Sequence, residues 1–520
     1  MKRFFAVLTA VVLALSLCSG ALAAEDVPVI APNPNTQSQD ALASAKAALP
    51  YPGGVNVWLG GRFMTFTDAA PAVRDGRTQV PFRAVLEALG AEVAYEDGKI
   101  SAVFKDGGVM NLAIGSTVMT YTKGDKVKTV QMDVAPYVDS VSGRTYVPVR
   151  FVGETLGLTV TWNSELQVAY IVDWNTLVTE IDSHFTNFNA MMTATLKAQI
   201  DNTKTYKSND KISLKGTLEG QSTDPFEVSL TGESLTNGKN SSGSYTLGVD
   251  MGGYQPVIAA MGEDTLSTIK ALNGQKIDMI FNMENGTYLK SQLLTTLTGG
   301  LVPEGAWLSA GNPGELYSQM GIDMDGMMDE MYSGSFTMGS LIRMLCENGN
   351  LGQTMGYMAP DSAAQYFTLI YEGMFGNDAV KVATSGSTTT YTCKSDEASL
   401  FKGLIDAGMI TAEEVKAENI TFDFQMTVII RSDKLVSSTA KMDMQAEGIK
   451  MTMNVTGTTK KAEGNITITV AGTGAVVIDI DSTISETTEK VTEKPASGDQ
   501  IVELQELVNM FLSSLATPAA

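Results

Sequence analysis

The chain has 520 residues, 44% of them hydrophobic and 18% charged, so it can bury a sizeable core and is not broadly disordered. Its 58 acidic residues outnumber its 36 basic ones, and the net charge of −22 repels phosphate backbones and anionic lipid headgroups. We therefore expect no nucleic-acid partner.

The first residues follow the pattern of a secretory signal peptide. A basic start precedes an apolar run over 4–17, and small residues follow it. The run is too short to span a bilayer comfortably, and no second run of this kind follows, so we expect no integral membrane span in the mature chain. We expect residues 1–24 to be removed, residues 25–50 to form a flexible lead-in, and the protein to be secreted or held at the extracellular cell surface.

Two cysteines, Cys346 and Cys393, remain once that leader is removed. Two cysteines do not make a disulfide framework. They either pair outside the cell or stay buried as thiols, and the sequence leaves both alternatives open.

Residues 51–173 contain an internal duplication. The segment GRTQVPFRAVLEALG at 76–90 recurs as GRTYVPVRFVGETLG at 143–157, which is 67 residues further on. Each copy has a glycine turn, a proline before a short apolar-periodic stretch, a glycine after it, and then alternating segments. Each copy therefore predicts a hairpin, a short helix and a second hairpin.

The residues that flank the two predicted helices are the same in both copies. We expect Pro81 and Pro148 at the first helical position, where a missing N–H costs nothing. Gly90 and Gly157 should follow the helix ends. Arginine and glutamate four residues apart on each helix (Arg83 with Glu87, Arg150 with Glu154) are interpreted as surface pairs rather than as a charged binding spot.

The repeated pattern x-G-R-T-x-V-P-x-R-x-x-x-E-x-L-G resembles the copper amine oxidase N-terminal-like domain, also called the stalk domain, over about residues 55–173. The resemblance implies an accessory extracellular stalk without the copper site. This chain has one histidine, His184, so it cannot build a multi-histidine copper centre. We expect no catalytic residue, no cofactor and no metal site from this domain.

The remaining residues, 174–520, mix helical and strand patterns. Apolar residues recur at helical spacing from Trp174, a helical insert is predicted at about 313–376, and Asn285-Gly286 predicts a hairpin turn. Strict alternation over 422–480 predicts an antiparallel meander with one apolar face.

The fold class that follows is α+β. A duplicated hairpin–helix–hairpin domain precedes a large curved antiparallel sheet, which amphipathic helices at 174–200 and 501–515 are expected to cover. With NGTYLK followed by GAWLS, this second part resembles the fold of periplasmic lipoprotein carriers and lipid-binding lipoproteins. That resemblance rests on the alternating strand pattern and one short motif pair, and it carries over no functional residue.

The apolar face of this sheet is the candidate binding site. Methionine in place of branched aliphatics leaves a deformable lining, which suits an apolar ligand, although a plain core between sheet and helices has the same pattern. The candidate lining residues are Phe424, Met426, Met442, Met444, Met451 and Met453. A methionine-rich stretch at 320–358 and an acidic run at 323–330 are interpreted as core or pocket lining and as a solvated helix start, rather than as copper or calcium sites.

No glycine-rich phosphate loop, zinc motif or Gly-x-Ser-x-Gly elbow is present in the sequence, so we do not expect an enzyme. Three functions remain. The first is a non-catalytic cell-envelope protein whose stalk domain spaces or tethers a C-terminal binding domain, with a cell-wall or envelope component as partner. The second is a carrier of a lipid or other apolar small molecule, and the third is a carboxylate-based glycan hydrolase.

Overall fold

A computed structural model describes residues 37–509 except 200, 202, 261, 313, 316–322, 348–356, 409, 418–419 and 447. The predicted signal peptide and the start of the lead-in lie outside the described residues. The described residues form two compact units. The N-terminal unit comprises residues up to Ile181 together with Ile342–Phe367, and the sheet unit comprises Asp182–Leu341 and the residues from Thr368 onward.

The helices lie in both units. They are Gln37–Ala47, Phe82–Ala88, Val149–Thr155, Trp174–His184, Thr186–Gln199, Gln255–Ala260, Glu263–Leu272, Gln292–Leu297, Met324–Ser333, Met338–Cys346, Pro360–Phe375, Glu397–Asp406 and Ala412–Ala417, with a 3-10 turn at Gly252–Tyr254. Within the described ranges, none of these helices is both long and apolar enough to cross a membrane.

The strands of the N-terminal unit are β1 (Asn56–Leu59), β2 (Arg62–Phe63), β3 (Ala72–Arg74), β4 (Arg77–Pro81), β5 (Ala91–Glu96), β6 (Lys99–Phe104), β7 (Val109–Ala113), β8 (Val118–Lys123), β9 (Lys126–Gln131), β10 (Tyr137–Val138), β11 (Thr145–Pro148), β12 (Thr159–Asn163) and β13 (Val168–Val172). They form three sheets, in the orders β12-β13-β1-β2, β10-β11-β4-β3 and β5-β6-β7-β8-β9.

The two copies of the repeat meet through the strands that precede their helices. β4 pairs antiparallel with β11, and Val80 lies opposite Val147 in the register. These two valines hold the same position in the repeated sequence, and both are buried in one core together with the helical valines Val85 and Val152. The predicted pair of hairpin–helix–hairpin units is confirmed, because one helix lies between the hairpins β3-β4 and β5-β6 and the other lies between the hairpins β10-β11 and β12-β13.

The helices of the repeat begin one residue later than expected. Pro81 and Pro148 have ψ angles of 106° and 113°, so they end their strands and serve as N-cap residues. The prediction that they occupy the first helical position was wrong. The fixed φ of proline suits both positions, and its missing N–H removes no helical hydrogen bond at either one.

Glycine ends both helices as expected. Gly90 and Gly157 follow the last helical turns with φ of +86° and +81°. In the second copy the Gly157 N–H donates to the Glu154 carbonyl and the Leu158 N–H donates to the Gly153 carbonyl, at 3.2 and 3.0 Å. These two bonds satisfy carbonyls that the helix end would otherwise leave without a partner.

A segment of the predicted lead-in is helical. Gln37–Ala47 is rich in alanine and other good helix formers. Leu49, just beyond it, is buried in a cluster with Tyr170 and Ala359. The structure therefore ties this end of the lead-in to the N-terminal unit.

The boundaries of the units differ from the predicted boundary at residue 173. Trp174, Leu177 and Ile181 are buried, and they belong to the N-terminal unit. A segment of the helical insert also belongs to it, because the Trp58 Nε1–H donates to Asp361 at 2.8 and 2.9 Å. Sequence patterns do not reveal such contacts, since about 300 residues separate these partners.

The sheet unit is built on one sheet of fourteen strands. They are β14 (Thr205–Leu218), β15 (Phe226–Asn237), β16 (Asn240–Asp250), β17 (Lys276–Asn282), β18 (Gly286–Lys290), β19 (Trp307–Ser309), β20 (Val380–Ser385), β21 (Thr388–Asp396), β22 (Thr421–Arg431), β23 (Lys434–Ala446), β24 (Ile449–Gly457), β25 (Lys461–Val470), β26 (Gly474–Thr487) and β27 (Ile501–Glu503). Their order is β20-β21-β22-β23-β24-β25-β26-β14-β15-β16-β17-β18-β19-β27. Every pair is antiparallel except β19 with β27, so the α+β prediction is confirmed.

The predicted hairpin is present as β17 and β18, but its turn differs from the expected one, and the start of one predicted helix was wrong. Asn282 pairs with Gly286, so a three-residue connection replaces the expected Asn-Gly turn, and the Asn282 side chain accepts the N–H groups of Glu284 and Asn285. The start of the predicted helix at 501–515 is instead strand β27, because Ile501 to Glu503 pair with β19. Helical residues follow at 504–509, and the rest of that prediction lies outside the described residues.

Replacing Gly157 with alanine should lower the free energy of unfolding of the N-terminal unit by about 1–2 kcal/mol. A Cβ at this position would meet open space, so the loss would come from the left-handed φ alone. Gly54→Ala is the control, because Gly54 lacks a left-handed φ and its Cβ would make ordinary contact with Tyr51. Urea unfolding followed by hydrogen exchange of peptides from 145–172 measures the free energy of unfolding of each variant. Equal losses of free energy in the two variants would contradict the assignment of Gly157 as a residue that needs a left-handed φ.

Candidate functional site

One cross-strand row of side chains runs along a single face of the large sheet. Partners directly opposite each other in an antiparallel pair point to the same side, so the register defines the row. From β22 to β16 it reads Phe424, Met442, Met453, Ile466, Ile478, Leu214, Val228 and Val249. The face that carries this row is called the apolar face below.

The β22 end of the apolar face is closed by helices. Thr186–Gln199 packs on β22 and β23, and Glu397–Asp406 packs on β21 and β22. The Phe375 ring lies edge-on to Phe424, with ring centroids 5.7 Å apart. This end is a packed core between sheet and helices.

The six predicted lining residues all lie at this closed end. Phe424, Met426, Met442, Met444 and Met453 are buried, and Met451 is half-buried. The predicted cover at 174–200 is present in part, as the helix Thr186–Gln199. That the six predicted lining residues contact a ligand stays a prediction.

The β14 and β15 end of the same face is open. Ile466 and Ile478 are half-buried, and Leu214 and Val228 keep 38% and 37% of their surface exposed. Neighbouring positions on this face, Leu218, Ile449 and Val470, are exposed as well, at 47%, 40% and 38%. Exposed apolar side chains that adjoin one another on one face are a feature of binding surfaces.

A polar cluster interrupts the apolar face on β14. Asp210 is buried, and its Oδ2 accepts hydrogen bonds from Ser208 Oγ at 3.1 Å, Ser234 Oγ at 3.3 Å and the Tyr245 hydroxyl at 3.0 Å. Ser482 Oγ donates to its Oδ1. These donors compensate the carboxylate for lost water, so the open apolar surface ends at a fixed polar boundary.

The opposite face of the sheet carries a groove of about 350 Å³ that is lined by several carboxylates. Lys207 lies 2.9 Å from Glu233 and 3.4 Å from Glu489, and Lys290 lies 3.7 Å from Asp278. The hydrogen bond to Glu233 raises the pKa of Lys207 above its ordinary value. A neighbouring ammonium favours an ionised carboxylate, whereas a glycosidase needs one carboxyl group that holds its proton.

Sequence reasoning did not identify the open end of the apolar face. Ile466 and Ile478 belong to the alternating pattern over 422–480, but they were not assigned to the lining. Leu214 and Val228 lie on β14 and β15, where polar residues such as Ser208 and Asp210 share the inward positions and weaken the alternation. The short alternations Ile212-Leu214 and Val228-Leu230 were the available signal.

Three smaller sequence features have structural explanations. His184 Nδ1 lies 3.0 Å from Glu372 Oε1, which agrees with a structural histidine. In the acidic run, Asp323 accepts the Gly326 N–H at 2.9 Å and caps the helix Met324–Ser333. The arginine–glutamate pairs on the repeat helices are exposed, with separations of 3.7 and 3.8 Å.

Both cysteines for which the sequence left two alternatives open are free and buried. Cys393 lies on β21, and its Sγ donates to the Met374 carbonyl at 3.2 Å. Burial raises the pKa of Cys393 to about 12, and burial likewise raises the pKa of Cys346. Because the thiolate is the reactive form, neither side chain suits nucleophilic catalysis.

In the folded protein at pH 8, neither Cys346 nor Cys393 should react with a maleimide. Both thiols are almost wholly protonated at that pH and lie out of contact with solvent. Both should be labelled after unfolding in urea, which peptide mass spectrometry will report. Recovery of a disulfide-linked peptide pair from the native protein would contradict this assignment.

Among the described residues, no three His, Cys, Asp or Glu side chains lie close enough together to hold a metal ion. Besides the buried thiols of Cys346 and Cys393, the sequence supplies one histidine and a methionine-rich stretch at 320–358 as further ligands for a soft or borderline metal. Thioethers alone suit Cu(I) rather than the divalent ion.

Purified protein should hold no stoichiometric copper, because the chain lacks a set of imidazole ligands. Elemental analysis after dialysis against copper measures the ratio per chain. One tightly held copper that disappears in the double variant Met327→Leu, Met328→Leu would contradict the prediction.

Comparison with known proteins bears on the N-terminal part of the chain. The family model described as copper amine oxidase N-terminal domain matches residues 58–171 and, in a second overlapping match, residues 125–208. No protein of curated function matches the chain. The two matches cover both copies of the repeat whose shared core the structure describes. Residues 58–208 therefore match the copper amine oxidase N-terminal domain family, in agreement with the resemblance that the repeated pattern carries.

Proposed function

We propose that this chain is a non-catalytic, secreted protein of the cell envelope. Its copper amine oxidase N-terminal domain acts as a stalk that spaces or tethers the sheet unit. The sheet unit binds an apolar ligand, such as the acyl chain of a lipid, on its apolar face. The signal-peptide pattern at 1–24 supports the location, and the family match supports the stalk.

The observation that carries the binding function is the change in exposure along one row of side chains. Phe424 and Met442 are buried under helices, whereas Leu214 and Val228 on the same face keep more than a third of their surface exposed. Full burial of such a side chain is worth about 1.5–3 kcal/mol. An apolar ligand on the open end would recover part of that free energy.

The other two functions receive different support. A lipid carrier remains compatible with the open end of the apolar face, because a carrier needs an apolar surface that a ligand can enter and leave. The glycan hydrolase gains no support from the groove on the opposite face, whose carboxylates Glu233, Glu489 and Asp278 all lie beside lysines.

Ile478→Asn should weaken the binding of cis-parinaric acid, a fluorescent fatty acid, by about tenfold, because it places an amide in the middle of the open apolar row. Val477→Asn is the matched control. Val477 is the next residue on β26, is also half-buried, and faces the opposite side of the sheet beside Lys215. Mass spectrometry of lipids extracted from purified protein should identify the retained ligand class.

Two results would contradict the proposed binding function. One is purified protein that retains no lipid and binds no parinaric acid. The other is equal weakening by Ile478→Asn and Val477→Asn when thermal unfolding shows both variants folded. Because the two side chains point to opposite faces of the sheet, a ligand bound to the apolar face should respond to Ile478→Asn alone.

A further inference from the structure

The N-terminal unit contains a cleft of about 970 Å³ between the two copies of the repeat. It is called the repeat cleft below. Its volume lies at the upper end of the range for small-molecule sites. Residues of both copies line it, among them Leu59, Arg62, Leu89, Lys105, Tyr121 and Leu156.

Equivalent positions of the two copies face the repeat cleft together. Leu89 and Leu156 are 67 residues apart, as are Phe104 with Ile171 and Asp106 with Asp173. Leu89 and Leu156 are the C-cap residues of the two repeat helices, and both are half-buried. The duplication therefore brings two matched leucines to one place without burying them fully, whereas Phe104 and Ile171 beside them are buried.

The floor of the repeat cleft is aliphatic and aromatic. Leu59, Met64 and Leu158 are half-buried there, and the Tyr121 ring lies edge-on to Phe104 with centroids 6.2 Å apart. Among the described lining residues, none carries a carboxamide, the group with which proteins often hydrogen-bond sugars. The floor therefore suits a hydrocarbon chain better than a glycan.

The two acids at the rim are already compensated. Asp106 accepts a hydrogen bond from Lys123 at 2.5 Å and another from the Gly108 N–H at 3.0 Å. Asp173 accepts from the Thr176 N–H at 3.1 Å and from the Thr176 hydroxyl at 2.7 Å, at the start of the helix Trp174–His184. Neither carboxylate needs a ligand cation.

The two cations at the rim are not compensated. Within the described part of the chain, the side chains of Arg62 and Lys105 have neither a hydrogen-bond partner nor an ion-pair partner. Both are exposed at the edge of the cleft. Because Lys123 neutralises Asp106, Arg62 and Lys105 outnumber the one remaining rim carboxylate, Asp173, and leave one excess positive charge beside an apolar floor in a chain of net charge −22. Charge complementarity therefore favours an anion here.

We propose that the repeat cleft binds a single-chain amphiphile with an anionic head, its hydrocarbon chain on the leucines of the two copies and its head beside Arg62 and Lys105. This site belongs to the N-terminal unit and does not depend on the binding function proposed for the sheet unit. It gives the stalk domain a ligand of its own.

Hydrogen exchange of the full chain tests this site directly. Decanoate should protect backbone amides at 59–65 and 104–106, whereas decyltrimethylammonium, with the same chain and the opposite charge, should not at equal concentration. The double variant Arg62→Gln, Lys105→Gln should weaken that protection, with an apparent affinity about tenfold lower. Lys99→Gln makes a single charge change of the same kind on strand β6, where Lys99 is exposed on the side opposite to Phe104 and outside the cleft, and it should leave the protection unchanged.

Binding in the repeat cleft and binding on the sheet unit can be tested independently. Ile478→Asn alters the sheet unit, so it should leave the protection at 59–65 and 104–106 intact. Protection by both amphiphiles alike, or by neither, would overturn the proposal. Exchange of the ligand-free double variant should match that of the unaltered protein, because both replaced side chains are exposed, so a lost response cannot be attributed to unfolding.

Discussion

The antiparallel register that links Phe424 on β22 to Val249 on β16 is the constraint on which the sheet unit depends. Each ladder fixes which side chains point to the same side, so Phe424, Ile478 and Val228 must share a face although they lie on three separate strands. A slip of one residue in any strand would move its apolar side chains to the opposite side. The sheet therefore presents one apolar surface that is wider than the helices that cover it.

Each of the two units leaves apolar side chains partly exposed on a concave or open surface, and each does so by a different arrangement. In the sheet unit, helices close the β22 end of a long apolar face and leave the β14 end open. In the N-terminal unit, duplication places equivalent leucines, Leu89 and Leu156, on either side of a cleft. Burying these surfaces completely would stabilise each unit further, so the exposed apolar area is a cost that a ligand can offset.

Local patterns could be read from the sequence wherever neighbouring residues decide the structure. Proline before a short helix, glycine after it and strict alternation over 422–480 predicted helices and strands that the structure contains. The two errors in the sheet unit arose where a side chain or a distant strand competes with local preference. Asn282 accepts two backbone N–H groups and moves the turn, and pairing with β19 holds Ile501 to Glu503 as strand.

The sequence by itself determined the duplication, the presence of its two helices and the glycines that end them, the fold class and the apolar alternation of the later strands, because each depends on residues within about one repeat of one another. Only the tertiary structure decided which part of the apolar face is covered. It also decided that Asp361 joins Trp58 in the N-terminal unit, and that Arg62 and Lys105 share the rim of one cleft. Those features depend on contacts between residues far apart in the chain, whose pairing is fixed by the shape and burial of the whole unit rather than by any local pattern.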